Sequence, residues 1–353
     1  MKKKAAATLI TAVMALMALA GCGGAQGTDS TAANDAANSA NGSTVYKVGI
    51  VQFVDDASLN QIEAAIEKEL DAKAAEMGVT FNYGDYTYNG QADSTVLNQI
   101  ASELIASEVD VIVPIATPAA MIMQNATEEN QIPVVFSAVS DPVGAGLVAS
   151  MDAPGSNITG TSDALNTEAV MDLIFAADPD IKTLGLLYNK SEDASKAPVE
   201  AAKSYCAAKG VEVIEKTGTT NDEISLAADA LISSGAEAVF TPTDNTVMTA
   251  ELAIYEKFID AGVPHYGGAD SFALNGAFLG YGVNYEELGT ATADMIVEVL
   301  VNGADPASTA VVTLDNGIAT VNTETAEAIG LDYSVFADMC TELKEIVTAK
   351  EFE

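Results

Sequence analysis

The strongest constraint on how this chain folds lies between Asp110 and Val148, where the sequence reads DVIVPIATPAAM and then EENQIPVVFSAVSDPVGAGLV. Residues 110–115 are apolar and rich in β-branched side chains, the pattern of a strand buried on both faces of a parallel sheet. Ala116, Thr117 and Pro118 interrupt it and open a helix. Proline suits a first helical turn because its missing N–H would have no partner there, and Thr117 stands where a hydroxyl can cap. Residues 132–138 make a second strand that ends at Ser140, Asp141 and Pro142. Two strands therefore end side by side in loops carrying hydroxyls, free amides and a carboxylate. In open α/β sheets ligands bind at such carboxyl ends. A helix N-terminus there presents bare N–H groups and a positive partial charge to an anion.

The same alternation runs along the chain. Strands are expected over 46–53 and 80–88, with helices over 59–77, closed by Gly78, and 91–107. A second series begins near Met171, with strands over 183–188, 211–216, 238–242 and 263–266 and helices over 197–209, 222–234 and 247–261. Segments 278–283, 285–302 and 311–322 supply later crossovers. Repeated βα units imply parallel sheets covered by helices on both faces. Two successive series imply an α/β protein of two Rossmann-like lobes facing across a cleft. A length of 353 residues with 49% hydrophobic side chains is enough for two sizeable cores.

The start of the chain follows a different pattern. Lys2, Lys3 and Lys4 precede an apolar run over 5–19 that is too short for a comfortable membrane span. Leu19-Ala20-Gly21-Cys22 then matches the bacterial lipoprotein cleavage box, which makes 1–22 a signal peptide and Cys22 the lipidated first residue of the mature chain. Several acyl chains, each gaining about 0.8 kcal/mol per buried CH₂, would anchor it stably. Residues 23–44 are Gly, Ala, Ser, Thr, Asn and Asp with almost no large apolar side chain, a flexible tether.

Charge excludes several partners. There are 51 Asp and Glu against 15 basic residues, a net charge of −36, and every basic residue is lysine. Without Lys2–Lys4 the balance is 12 lysines against 51 acids, net −39. Such a surface repels nucleic acid and anionic lipid. With no arginine, a ligand carboxylate must be held by amides, hydroxyls or lysine in place of a guanidinium fork. One histidine allows neither a His/Cys metal cluster nor a His-based triad. No GxSxG, no GxGxxG after the first strand and no P-loop is present. No enzyme activity, cofactor or metal is expected, and no nucleic-acid partner. Cys206 and Cys340 fall in expected helices as buried apolar residues, although an exported chain also permits a disulfide.

Seven blocks, in order, carry a resemblance: VGIVQFVDDASLNQ, IATPAAM, IPVVFSAVSDPVGAGLV, NITGTSD, LGLLYNKSEDAS, AVFTPTDNTV and GAFLGYGVNYEELG. Together, over 46–331, they resemble the tryptophan/tyrosine-type ABC transporter substrate-binding lipoproteins. The resemblance implies a type I periplasmic-binding-protein fold with a multi-strand hinge. Lobe one would comprise 45–160 and about 284–318, and lobe two 161–283 and about 319–353. It also implies a monomer, lipid-anchored on the extracytoplasmic face of the membrane, that closes on an amino acid, aromatic by preference, and delivers it to an ABC permease and its ATPase. The other readings are a ligand-binding module of a sensor or surface adhesin, or a receptor for a sugar or nucleoside.

The expected site is spread over both lobes. Lobe one supplies Gln52 and Phe53, with Asp55 just beyond, then Ala116, Thr117 and Ala119 at a helix start, and Ser140 and Asp141. Lobe two supplies Ser162 and Asp163, Asn189 and Ser191, then Thr243, Asp244 and Asn245, and finally Asp270 with Ser271. Thr117 and the following amides would bind a carboxylate. One or two of Asp163, Asp244 and Asp270 would bind an ammonium through charge-assisted hydrogen bonds, and Phe53 would stack on a ring. Structural roles compete with these: Thr117 as a cap, Asp141 as a turn former before Pro142, Asp244 and Asn245 as a helix cap, Asp163 in the hinge and Phe53 in the core. His265 and Tyr266 are expected to be structural.

Overall fold

The computed structural model describes residues 44–314 and 317–352, so the signal segment, Cys22 and nearly all of the tether lie outside the described residues. β1 (Val45–Gln52) has its last five residues buried, as a central strand should. It leads into α1 (Ala57–Met77), which ends where Gly78 turns left-handed at φ 69°. β2 (Thr80–Asn82), β3 (Thr87–Asn89), α2 (Ser94–Ala106), β4 (Val111–Ile115), α3 (Thr117–Thr127), β5 (Val134–Phe136) and β6 (Ile158–Ser162) follow. The single strand expected over 80–88 is broken by a turn at Gly84 and Asp85. Its two pieces pair with different stretches of β1, β2 with Val45–Lys47 and β3 with Ile50–Gln52.

The second series gives α4 (Thr167–Ala177), β7 (Thr183–Tyr188), α5 (Asp193–Lys209), β8 (Glu212–Thr217), α6 (Asn221–Ser233), β9 (Ala238–Thr241), α7 (Asn245–Ala261), β10 (His265–Gly267), α8 (Asp270–Leu274) and β11 (Leu279–Gly282). Then come α9 (Tyr285–Leu300), β12 (Val312–Thr313), β13 (Ile318–Asn322), α10 (Thr323–Ile329) and β14 (Glu342–Ile346). The first sheet has the order β12-β6-β5-β4-β1-β2, with β3 also on β1, and all its pairings are parallel. The second has the order β14-β13-β11-β10-β9-β7-β8, parallel except between β11 and β13. These are the two α/β lobes of a type I architecture. The chain passes between them after β6, after β11 and after β12. Because β6 stays in the first sheet to Ser162, the first crossing begins at Asp163.

After the second crossing α9 returns to the first lobe and lies along α1. The approach is close: a Cβ on Gly289 would stand 2.6 Å from the Ile62 carbonyl oxygen and 2.7 Å from Ala65 Cβ. Thr292 on the same helix is fully buried, and its hydroxyl lies 2.8 Å from both Ser137 Oγ and Thr161 Oγ1. The three hydroxyls satisfy one another inside the core and fix α9 over the ends of β5 and β6.

In the second lobe His265 is buried, with Nε2 2.8 Å from Thr241 Oγ1 and Nδ1 3.0 Å from Glu251 Oε1. Tyr266 packs edge-on against Phe278. Both are parts of the interior. Cys206 is buried on α5, but Cys340 sits in a bend after a 3₁₀ turn, not in a helix, and its Sγ donates to the Phe336 carbonyl. The two thiols are free.

Replacing Gly289 with Ala should force α1 and α9 apart and cost about 1–3 kcal/mol, the usual penalty for overpacking a filled contact. Urea denaturation followed by circular dichroism reads this directly. An unchanged midpoint would show that the helix pair separates freely.

Candidate functional site

The two lobes meet around a small inner cavity at the carboxyl ends of both sheets. Ala116 and Thr117 line it from the start of α3, Ser58 and Leu59 from the start of α1, and Ala138 and Ser140 from the loop after β5. Across from them stand Thr243, Asn245 and Met248 at the start of α7, with Ala194 and Ala269. Asp163 and Tyr285, on the first two crossings, complete the wall. The cavity holds about 10 Å³, roughly the space of one water molecule. A wider chamber of about 460 Å³ opens beside it and shares Thr117 and Asn245. Phe53, Leu97, Pro118 and Met121 give this chamber an apolar side, and Asn189, Ser191 and Thr246 a polar one.

The two helix starts that face each other across the cleft differ in one respect. At α7 every early amide is taken. Asp244 caps the helix by accepting from Val247 N–H at 3.1 Å, and its other oxygen accepts from Asn189 N–H at 2.7 Å and Ser195 Oγ at 2.6 Å. Glu192 accepts from the Asn245 and Thr246 amides, from Asn245 Nδ2 and from Thr246 Oγ1. Burial, with Glu192 close by, pushes the Asp244 carboxyl well above its usual range. At α3 nothing of the kind is found. Ala116 occupies the cap position at φ 80° with no side-chain cap bond, Thr117 is the first helical residue and Pro118 brings no N–H. Thr117 is therefore not the cap its hydroxyl suggested. Among the described residues that hydroxyl has no hydrogen-bond partner, although Thr117 is buried. The Thr117 and Ala119 amides are those that a helix start leaves without an intrahelical acceptor.

Asp163 is the complement of this open end. It is buried, accepts from Ser140 Oγ at 3.0 Å, and has no lysine beside it. Burial raises its carboxyl to about 6. An isolated buried carboxylate is costly unless paired, and the room beside Asp163 opens into the cleft.

The cleft thus brings together Phe53, Ala116, Thr117, Ser140, Asp163, Asn189, Ser191, Thr243 and Asn245. Others are engaged elsewhere. Gln52 donates to the Val54 carbonyl and to Asn60 Oδ1, and Asp55 accepts from Asn60 Nδ2. The Ala119 methyl belongs to the core of the first lobe. Asp141 closes a turn by accepting from Gly144 N–H at 2.8 Å, which fits its place before Pro142. Ser162 is buried on β6, and Asp270 bonds to α1. The sequence reading missed Tyr285, Met248, Ser58, Leu59 and Glu192. Glu192 was hidden because the helix after it starts at Asp193, four residues earlier than the expected 197. Tyr285 was hidden because its place depends on where the chain recrosses.

Residues 47–335 match the family described as ABC transporter substrate binding protein. The chain belongs to that family. Such substrate-binding proteins take up a small-molecule ligand outside the cytoplasm and work with an ABC permease. This member is 31% identical over 303 residues, 86% of each chain, to the tyrosine-binding protein of Clostridioides difficile strain R20291. It resembles the crystal structure of an ABC domain from Streptococcus pneumonia in complex with L-Trp at 31% identity and a TM-score of 0.77, over 85% of this chain and all of that one. The ligand-free, open structure of a Clostridium difficile substrate-binding protein with adhesive properties, also 31% identical, covers 86% of this chain and all of its own at a TM-score of 0.66. Among the described residues no helix is long and apolar enough to cross a membrane, and no three His, Cys, Asp or Glu side chains cluster to hold a metal.

The saturated oxygens of Asp244 give a clear expectation. Asp244→Ala should lower stability by about 1–3 kcal/mol, since buried donors lose their acceptor, while ligand affinity stays within about threefold, well under the ~1.4 kcal/mol of a tenfold change. Thermal unfolding and calorimetry on one preparation separate the two effects. A stable variant with lost affinity would return Asp244 to the ligand site.

Proposed function

We propose that this protein is the lipid-anchored receptor of an ABC importer and binds a neutral aromatic amino acid in the cleft between its lobes. The observation that carries the reading is the pairing of Asp163, a buried carboxylate with no cation, with the uncapped start of α3 across the same cavity. A zwitterion supplies both missing charges once the lobes part, since the inner cavity as it stands, about 10 Å³, holds no more than a water. Its ammonium bonds to Asp163, and its carboxylate to the Thr117 hydroxyl and the amides of Thr117 and Ala119. Among the described residues no lysine lines the cleft, which suits an anion held by backbone dipoles. Phe53, beside Pro118 and Met121, offers the ring an apolar wall. The tyrosine-binding relative and the L-Trp complex support the aromatic preference. The lobes part to admit the ligand and close on it by hinge motion, and the permease recognises the closed form. The protein acts as a carrier, in keeping with its membership of a substrate-binding family.

Calorimetry should give micromolar or tighter binding of L-Trp, L-Tyr or L-Phe. Asp163→Asn should weaken it at least tenfold, because a hydrogen bond to a charged group contributes about 1.5–3 kcal/mol. The pH dependence follows from the sign of the shift. Only ionised Asp163 attracts an ammonium, and the free carboxyl titrates at about 6. Affinity should be flat above about pH 7 and fall as pH drops through 6, approaching tenfold per unit below it. Binding that is unchanged between pH 7 and pH 5 would remove Asp163 from the site. A response only to sugars or nucleosides would overturn the ligand class.

The anchor is tested apart from the cleft. Cys22→Ser should release the protein from membranes or leave an unprocessed precursor on a gel. Fractionation identical to that of the unaltered protein would dismiss lipidation of Cys22.

A further inference from the structure

The start of α8 meets the start of α1 across the gap between the lobes. Asp270 Oδ1 accepts from Ser58 Oγ at 2.6 Å, and its Oδ2 accepts from Gln61 Nε2 at 3.1 Å. Ser58 Oγ in turn accepts from the Ser271 amide at 3.1 Å. Ser58 and Gln61 belong to the first lobe and Asp270 and Ser271 to the second, so all three bonds must break when the lobes part. Asp270 does not line the inner cavity or the chamber beside it. Both its oxygens are used across the gap, leaving a ligand ammonium little to gain there.

We propose that Asp270, Ser58 and Gln61 form a catch between the lobes that sets how long a bound ligand is held, without Asp270 or Gln61 touching the ligand. The proposal rests on the cleft being the ligand site, though not on which ligand fills it. Ser58 is aimed by its own helix. Asp56 caps α1 by accepting from Ser58 N–H at 2.9 Å and Leu59 N–H at 3.4 Å. That fixes the Ser58 side chain at the cleft wall, where it also lines the inner cavity. Ser58 therefore stands between the ligand space and Asp270, and a settled wall is also an engaged catch. The contact carries its own counterweight. Closure brings the carboxylate of Asp270 toward that of Asp56, both away from water; burial pushes both carboxyls upward, Asp56 to about 6 with the like charge of Asp270 adding to it, while Lys344 works the other way on Asp270. A catch that must desolvate two acids holds only moderately, as a carrier that must later release its cargo requires.

The test uses the mature chain with L-Trp as the ligand. Asp270→Ala and Gln61→Ala should each speed dissociation in stopped flow, Asp270→Ala by on the order of 10- to 100-fold. Association should stay within about threefold, and the order of preference among Trp, Tyr and Phe should not change. Because the two side chains act through one contact, the double variant should release no faster than Asp270→Ala alone. Gln61 is half-buried on a helix surface, so Gln61→Ala keeps the test valid if Asp270→Ala folds poorly. Small-angle scattering of the ligand-free variants should show a larger radius of gyration than the unaltered chain. That shift in a chain that fails to bind L-Trp would leave the catch standing and reject the aromatic ligand. Additive effects, a changed order of preference, or release and compaction both unchanged would overturn the catch.

Discussion

Carboxylates buried in a chain without arginine lean on backbone amides, side-chain amides and hydroxyls more than on cations, and the structure depends on where those donors are placed. Asp56 takes two amides at the start of α1. Asp244 takes two amides and a hydroxyl, and Glu192 covers the neighbouring amides of α7. Asp270 takes a hydroxyl and a side-chain amide from the opposite lobe. In each the hydrogen bonds do most of what a counter-ion would do, with Lys344 adding a smaller contribution at Asp270. Asp163 receives one hydroxyl, from Ser140, and beyond that only its own backbone amide. The imbalance falls beside the helix start that lacks a cap, and the two unsatisfied ends of the cleft are what a zwitterion can join.

The same economy explains why the crossings matter more than their few residues suggest. Asp163 begins the first crossing, and Tyr285 closes the second, immediately before α9 returns to α1. Both face the inner cavity. α9 is held over the first sheet by the hydroxyl cluster of Ser137, Thr161 and Thr292 and by the tight approach at Gly289. The crossings are therefore anchored to a packed first lobe at one end. In the proposed closure the second lobe would move against that fixed side, and α1, packed against α9, presents Ser58 to Asp270.

Much of this was legible in the sequence because it rests on local rules. The βα alternation, Gly78 closing α1 and the apolar strand before Ala116 each follow from a few neighbouring residues, and the two sheets stand where those patterns put them. Three things were not legible. The turn that splits 80–88 is a local event, but the flanking residues are β-formers on both sides. Which of two helix starts keeps its amides free depends on Glu192, fifty-three residues from Asn245 in sequence. Which aspartate faces the cleft depends on packing between lobes. Asp244 and Asp163 look alike as residues following a strand, and only the donors around them separate a cap from a site.

The acidity of the chain bears on what enters the cleft. With 51 acids against 15 lysines, the protein presents a strong negative field, which a neutral zwitterion enters without net work while a dicarboxylate is repelled. Inside, the same discrimination is made at short range. Among the described residues no lysine lines the cleft to accept a second carboxylate, and Asp163, when ionised, adds a negative charge of its own. A cationic amino acid is drawn by the field, but its side-chain charge would lie against the apolar side formed by Phe53, Leu97, Pro118 and Met121 unless it reached Glu192, already tied to α7, or Asp193, already paired with Lys196. Desolvating that second charge without a partner costs more than the long-range attraction returns, since exposed charges are screened within about 8 Å at physiological salt. On the proposed reading, the apolar side of the chamber and the prior engagement of Glu192 and Asp193 favour a neutral side chain over a charged one.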